Sequence, residues 1–248
     1  MKTKTKALLL ALCAIMLVVA SVFGTLAYLT DTETVTNTFT VGQVHIKLDE
    51  APVDTNGKET TGDRVQENSY KLLPGHEYDK DPMVTVMNGS EESYVRMLVT
   101  VQNYEGLKKA FPSDIADENQ VSVFLLQNFV KGWDPEVWVY EGFDAKTSTY
   151  EFRHAGTVTE EDDTVESTKD WELKPLFTEI FLADEVTNDQ LKYLYYELDE
   201  KGNLQVDDNG NWKQLKEPFA VTIVAEAIQS AGFENADEAW GAFDEQNG

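Results

Sequence analysis

Apolar and polar residues follow two different patterns along this chain. Residues 7–23 form an apolar run interrupted only at Ser21. From Val44 onward the pattern changes, and Val44, Ile46 and Leu48 alternate with polar residues. An alternation of period two indicates a half-buried strand. The polar residues placed on its other face are His45, Lys47 and Asp49.

The same alternation recurs through the rest of the chain. In residues 93–101, Val95, Met97, Val99 and Val101 occupy one face of a predicted strand. Regular alternation of this kind favours antiparallel sheets with one buried face, and so a mainly β fold, an antiparallel β-sandwich. The other predicted strands are 83–87, 137–143, 149–154 and 219–228, with a candidate strand within 176–183.

A few short helices are expected between the strands. The predicted helices are 121–130, 188–198 after a Thr187 N-cap, and 236–243 after an Asn235 N-cap. The polar, turn-rich residues 50–70 are predicted to be a surface loop. Asn209-Gly210, between residues of alternating character, predicts a hairpin turn.

The apolar run has the layout of a secretory signal. Three lysines lie among the first six residues, and Gly24 ends the run. Small residues at Thr25 and Ala27 predict cleavage between Ala27 and Tyr28. The chain then divides into a signal peptide, 1–27, and a single mature domain, 28–248. The length of the run leaves an uncleaved membrane anchor as the alternative.

Composition narrows the partners of the mature chain. The 248 residues contain 20 Lys and Arg, 45 Asp and Glu and one cysteine, Cys13 inside the apolar run. Removal of residues 1–27 takes away three lysines and no acidic residue. The mature chain then has 17 basic and 45 acidic residues, a net charge of −28. Such a charge repels nucleic acid and anionic membranes. The negative charge has two interpretations. It keeps an extracellular protein soluble, or its carboxylates bind divalent cations or make self-association depend on salt or acid.

No catalytic or metal motif is complete. The segment 76–80, "HEYDK", has Lys80 where a zinc helix needs its second histidine. His45 and His154 lie on predicted strands, and the acidic run 160–163 fits a solvated loop. A calcium loop starting at Asp207 would need Glu in place of Pro218. We therefore expect no enzyme, no metal and no cofactor.

Seven aromatic residues offer two interpretations. They are either core residues or a carbohydrate-stacking surface, and their strand and helix spacing favours the core. They are Trp133, Trp138, Tyr140, Trp171, Tyr193, Tyr195 and Tyr196.

Several segments of the chain carry a combined signature. The N-terminal ones are the lysine-rich start, "GTLAYLTD" and "NTFTVGQVHIKLDE". Two more in the mature chain are "KLLPGHEYDKDPMVTVMNGSEESYVRM" and "VTIVAEAIQSAGFENADEAWGAF". Together they resemble the TasA/camelysin family of exported bacterial proteins. The resemblance covers about residues 24–100 and 217–243, and leaves the middle region unmatched.

The resemblance implies a jelly-roll-like sandwich, a SipW-type signal peptidase as partner during export, and self-association into biofilm-matrix fibres. In such fibres an extended N-terminal arm, about residues 28–40, would add to the sheet of a neighbour. Val35 and Phe39 are the predicted core-filling residues of that donor strand. Two alternatives stay open: the arm pairs within the sheet of its own subunit, or it stays disordered. The alternative functions are a secreted binding or adhesion module and a camelysin-type metallopeptidase.

Overall fold

The computed structural model describes residues 43–158, 170–217 and 219–247. The predicted signal peptide, the cleavage site Ala27–Tyr28, the arm with Val35 and Phe39, and the acidic run 160–163 lie outside the described residues. Within the described part, no helix has the length and apolar character needed to cross a membrane.

Ten strands and four helices make up the described chain. The strands are β1 (Ile46–Asp49), β2 (Glu77–Asp79), β3 (Met83–Val86), β4 (Ser93–Val101), β5 (Val130–Lys131), β6 (Trp138–Asp144), β7 (Thr149–His154), β8 (Trp171–Glu172), β9 (Glu179–Phe181) and β10 (Val221–Gln229). The helices are α1 (Tyr104–Ala110), α2 (Glu118–Phe129), α3 (Asn188–Tyr195) and α4 (Ala236–Asn247).

All strand pairs in the described residues are antiparallel. They form a sheet of order β10-β4-β7-β6 and two three-stranded sheets of order β1-β3-β8 and β2-β9-β5. The prediction of a mainly β protein with antiparallel sheets and a few short helices is confirmed.

The core lies on one face of the four-stranded sheet. Val95, Met97, Val99 and Val101 of β4 are all buried, as the alternation predicts. The core-facing residues of β7 are Tyr150 and Phe152, and the core-facing residues of β10 are Val221, Ile223, Ala225 and Ala227.

Local capping explains where the predicted helices begin. Asp117 accepts the N–H of Gln120 at the start of α2, and Thr187 forms a capping box with Gln190 at the start of α3. The Asn235 side chain accepts the N–H of Glu238 at the start of α4. The Thr187 and Asn235 N-caps are therefore confirmed.

The structure also corrects the sequence pattern. Three strands of two or three residues, β2, β5 and β8, and the seven-residue helix α1 were not predicted. Asp49 was assigned to the polar face of β1, but it is buried because Arg64 from the 50–70 loop pairs with it. Arg96, on the other face of β4, is buried because α4 covers it.

Candidate functional site

The candidate site is the free edge of β10. The Ala220 carbonyl accepts the N–H of Gln102, and the N–H of Ser230 donates to the Glu92 carbonyl. Hydrogen-bonding direction alternates along an antiparallel strand. Even-numbered residues of β10 therefore bond to β4, whereas the peptide groups of odd-numbered residues, from Val221 to Gln229, point away from it. No strand among the described residues pairs with that edge.

A second free edge belongs to β1. The N–H of Met87 in the β3–β4 connection donates to the His45 carbonyl. By the same alternation, the peptide groups of Ile46 and Leu48 point away from β3. The next group in that row, at Glu50, exchanges two hydrogen bonds of 2.8 Å with Val65. The loop thus covers the end of the β1 edge.

A groove runs between the β1 and β10 edges. One part has the apolar side chains of Ile46, Leu48, Ile223 and Ala225 together with the charged Lys47 and Asp49. The other part has Leu72, Phe129, Ile180 and Phe219 together with the polar Glu67 and Ser69. Glu50, Gln66 and Lys80 line both parts and form a polar middle.

Buried charges shape that middle section. The Lys80 ammonium lies 2.5 Å from a Glu50 carboxylate oxygen, and the two side chains are only 11% and 8% exposed. Charged groups that are removed from water need an oppositely charged partner in direct contact. The Lys80 ammonium also lies 5.7 Å from the centre of the Tyr70 ring. Burial, followed by the Glu50 charge, raises the pKa of Tyr70 well above its usual range, so its phenol is neutral.

An ionic network fixes the 50–70 loop against the sheet. Arg64 donates to Asp49 at 2.5 Å and to Asp81 at 2.8 Å. Burial opposes ionisation of Asp49, but the hydrogen bonds from Lys47 and Arg64 outweigh it and lower the pKa of Asp49. Charge-assisted bonds therefore help to hold the loop wall of the groove.

The structure separates the three histidines singled out in the sequence. His45 precedes β1 and is exposed, His76 follows the Pro74-Gly75 turn and is exposed, and His154 ends β7. His154 packs against Trp138 with ring centres 5.3 Å apart. In the described part of the chain, no three His, Cys, Asp or Glu side chains form a group that could hold a metal.

The aromatic residues belong mainly to the core. Trp138 is fully buried, while the Trp133 ring contacts Phe152 and Tyr140. Tyr195 is 40% exposed at the end of α3. The predicted hairpin is present, with Val206 paired to Trp212, and both of these side chains are exposed.

Sequence reasoning missed the polar centre of the groove. Its members come from a loop and a turn, where charged residues normally face solvent. The sequence held one sign of it: Glu50 continues the alternation in which Ile46 and Leu48 face the interior. Comparisons with protein-family models, with curated proteins and with solved structures give no match to this chain.

Proposed function

We propose that this chain is a secreted, non-enzymatic structural protein of the bacterial cell envelope or biofilm matrix. In this proposal the domain is a jelly-roll-like β-sandwich, released from its signal peptide after Ala27. Subunits join when the N-terminal arm of one adds to the β10 edge of the next. The observation that carries the proposal is the free nine-residue edge of β10 beside the groove.

Open strand edges bind other strands because their peptide groups lack partners. Along β10, the outward peptide groups belong to the residues whose side chains face the core. A strand bonded to them would place alternate side chains over that core as well. Edge pairing would therefore satisfy backbone groups and extend the apolar core in one step.

The arm has a pattern that matches the groove. Val35, Asn37 and Phe39 share one face of an extended segment, since side chains at alternate positions point the same way. Apolar side chains line both parts of the groove, and Glu50, Gln66 and Lys80 line the region that the two parts share. We place Asn37 at that shared region, beside Glu50 and Lys80, with Val35 and Phe39 over the apolar side chains of the two parts.

The width of the groove limits how an arm can enter it. A strand inserted between two others needs them about 9.6 Å apart, twice the usual spacing. Parts of β1 and β10 lie within 8 Å of each other at their Cα atoms. An arm can therefore add to the β10 edge alongside β1 only if β1 moves outward by about 2 Å.

Deleting residues 28–38 from the secreted protein tests the proposal. We expect the intact chain to elongate, as seen by electron microscopy, and to do so faster near the sequence pI of about 4.3, where repulsion between the acidic subunits is weakest. The truncated chain should remain a folded monomer. Val35→Pro should act likewise by removing a ladder donor, while Val35→Ile, which keeps the backbone N–H and an apolar side chain, is the matched control.

Three results would contradict this function. If the truncated chain elongates as well as the intact one, the arm is not the connector. If it unfolds, the arm belongs to the sheet of its own subunit. Should the intact chain never assemble, a secreted binding module becomes the better candidate, because Trp212 and Val206 offer exposed apolar surface on the hairpin.

A further inference from the structure

Two side chains at the polar middle of the groove, Lys80 and Asn68, contact one carboxylate, that of Glu50. Glu50 Oε2 lies 2.5 Å from the Lys80 ammonium, and Glu50 Oε1 accepts the side-chain N–H of Asn68 at 3.0 Å. A single carboxylate therefore contacts an amine on one side and a carboxamide on the other. The three residues come from the end of β1, the 50–70 loop and the turn after β2.

The Asn68 carboxamide is held in one orientation. Its Oδ1 accepts the backbone N–H of Val53 at 3.1 Å, and its Nδ2 also donates to the Ala51 carbonyl at 2.8 Å. The N–H of Val53 therefore points at the oxygen that would become negative if a nucleophile attacked Asn68 Cγ. A donor placed in this way stabilises a tetrahedral oxyanion.

Lys80 is placed as the nucleophile. Its side chain is 11% exposed and lies against the Tyr70 ring. In a desolvated ion pair, proton transfer from ammonium to carboxylate removes both charges and leaves an amine with a free electron pair. Glu50 can take that proton because it contacts the ammonium, and its other oxygen holds the Asn68 carboxamide by a hydrogen bond.

The geometry points to a self-catalysed isopeptide bond between Lys80 Nζ and Asn68 Cγ. Lys80 transfers a proton to Glu50, and the amine attacks Asn68 Cγ to form the Nζ–Cγ bond. The oxyanion on Oδ1 is held by the Val53 N–H. A second proton moves from Nζ to Nδ2, the Cγ–Nδ2 bond breaks, and ammonia leaves. Glu50 keeps the first proton until it passes to solvent, and no oxidant or reductant is needed.

This bond goes beyond the proposed function, since it concerns the subunit itself. It would join the 50–70 loop covalently to the end of β2, at the wall of the groove. A cross-link of this kind restricts the unfolded chain, as a disulfide does, in a mature chain without cysteine. The loop wall would then resist proteolysis and pulling independently of salt.

Peptide mapping of the secreted chain tests the bond directly. Trypsin cuts after Arg64, Lys71 and Arg96, so an unmodified chain gives a free Val65–Lys71 peptide. We expect instead one branched peptide in which Val65–Lys71 is attached at Asn68 to Leu72–Arg96, uncut at Lys80. Its mass should be about 17 Da below the sum of its parts, the mass of the ammonia released.

Variants separate this reaction from its alternatives. A cyclic imide at Asn68 also loses about 17 Da, but it needs no lysine and would persist in Lys80→Arg. We expect Lys80→Arg, Glu50→Gln and Asn68→Ala each to regain a free peptide at residues 65–71. Lys131→Arg, which alters an exposed pair with Glu77, should keep the branched peptide. A wild-type digest that contains only the free, full-mass peptides would overturn the assignment.

Discussion

Replacement of Arg96 by methionine should destabilise the fold more than any other single change in its ionic cluster. The guanidinium lies beneath α4 and donates to Glu226 at 2.7 Å and to Asp244 at 2.5 Å. Its central carbon lies 4.3 Å from the centre of the Trp240 ring. Methionine keeps the apolar stem against that ring, so the change removes mainly the charge and its hydrogen bonds.

The magnitude follows from how much water reaches each partner. Removing one member of a buried ion pair costs about 3–5 kcal/mol, because the other charge is left unpaired. Here the Glu226 and Asp244 side chains are 24% and 58% exposed, so solvent recovers part of that loss. Loss of the cation–π contact adds about 1 kcal/mol. We expect Arg96→Met to lower the free energy of unfolding by about 3 kcal/mol in total.

Asp244→Asn is the matched comparison. Asp244 is mostly exposed, and the hydrogen bond from Arg96 holds its pKa below the usual range, so its loss should cost only about 0.5 kcal/mol. Urea unfolding followed by circular dichroism measures both variants. High salt should remove the Asp244→Asn effect and leave most of the Arg96→Met effect. Equal costs for the two variants, or a cost below about 1 kcal/mol for Arg96→Met, would refute this account of the cluster.

Two further predictions concern the 50–70 loop. Gly57→Ala should lower the free energy of unfolding by about 3 kcal/mol, because Gly57 has φ +73° and a Cβ would lie 2.3 Å from Tyr78 Cδ1. The control Gly210→Ala, at φ +80° with open space around it, should lower it by only about 1 kcal/mol. Similar losses for the two variants in thermal or urea unfolding would contradict this packing. Asp49→Asn should weaken the dependence of the free energy of unfolding on pH in the acid range. The lowered pKa of Asp49 stabilises the fold above its ordinary value of 3.8, and that contribution is lost as pH falls through the folded pKa. If the variant shows the same pH dependence of unfolding as the wild type, the Arg64 pair is not its source.

Strong periodicity made much of the fold predictable from sequence. β4 and β7 match their predicted bounds, 93–101 and 149–154, because both alternate over their whole length. The two-residue strands β5 and β8 could not be predicted, since a pair of residues carries no period. Helix α1 is only seven residues long and contains a glycine, so its sequence gives little helical signal.

Only the β10 side of the candidate site was predictable from the sequence. The alternation in 219–228 gave β10, but which edge stays free depends on its pairing with β4, far away in sequence. The contacts of Glu50 with Lys80 and Asn68 depend in the same way on how the loop folds back. Ionic contacts between distant segments leave no periodic mark in the sequence.

The pairing of β10 with β4 also determines when the sheet can form during synthesis of the chain. Val221 pairs with Val101 and Gln229 with Ser93, which are 120 and 136 residues apart. Contacts between residues so distant along the chain form late, because a long loop must close first. The four-stranded sheet therefore stays incomplete until residues 221–229 have left the ribosome. For the secreted protein that we propose, this delay would keep the nascent chain unfolded for transport across the membrane.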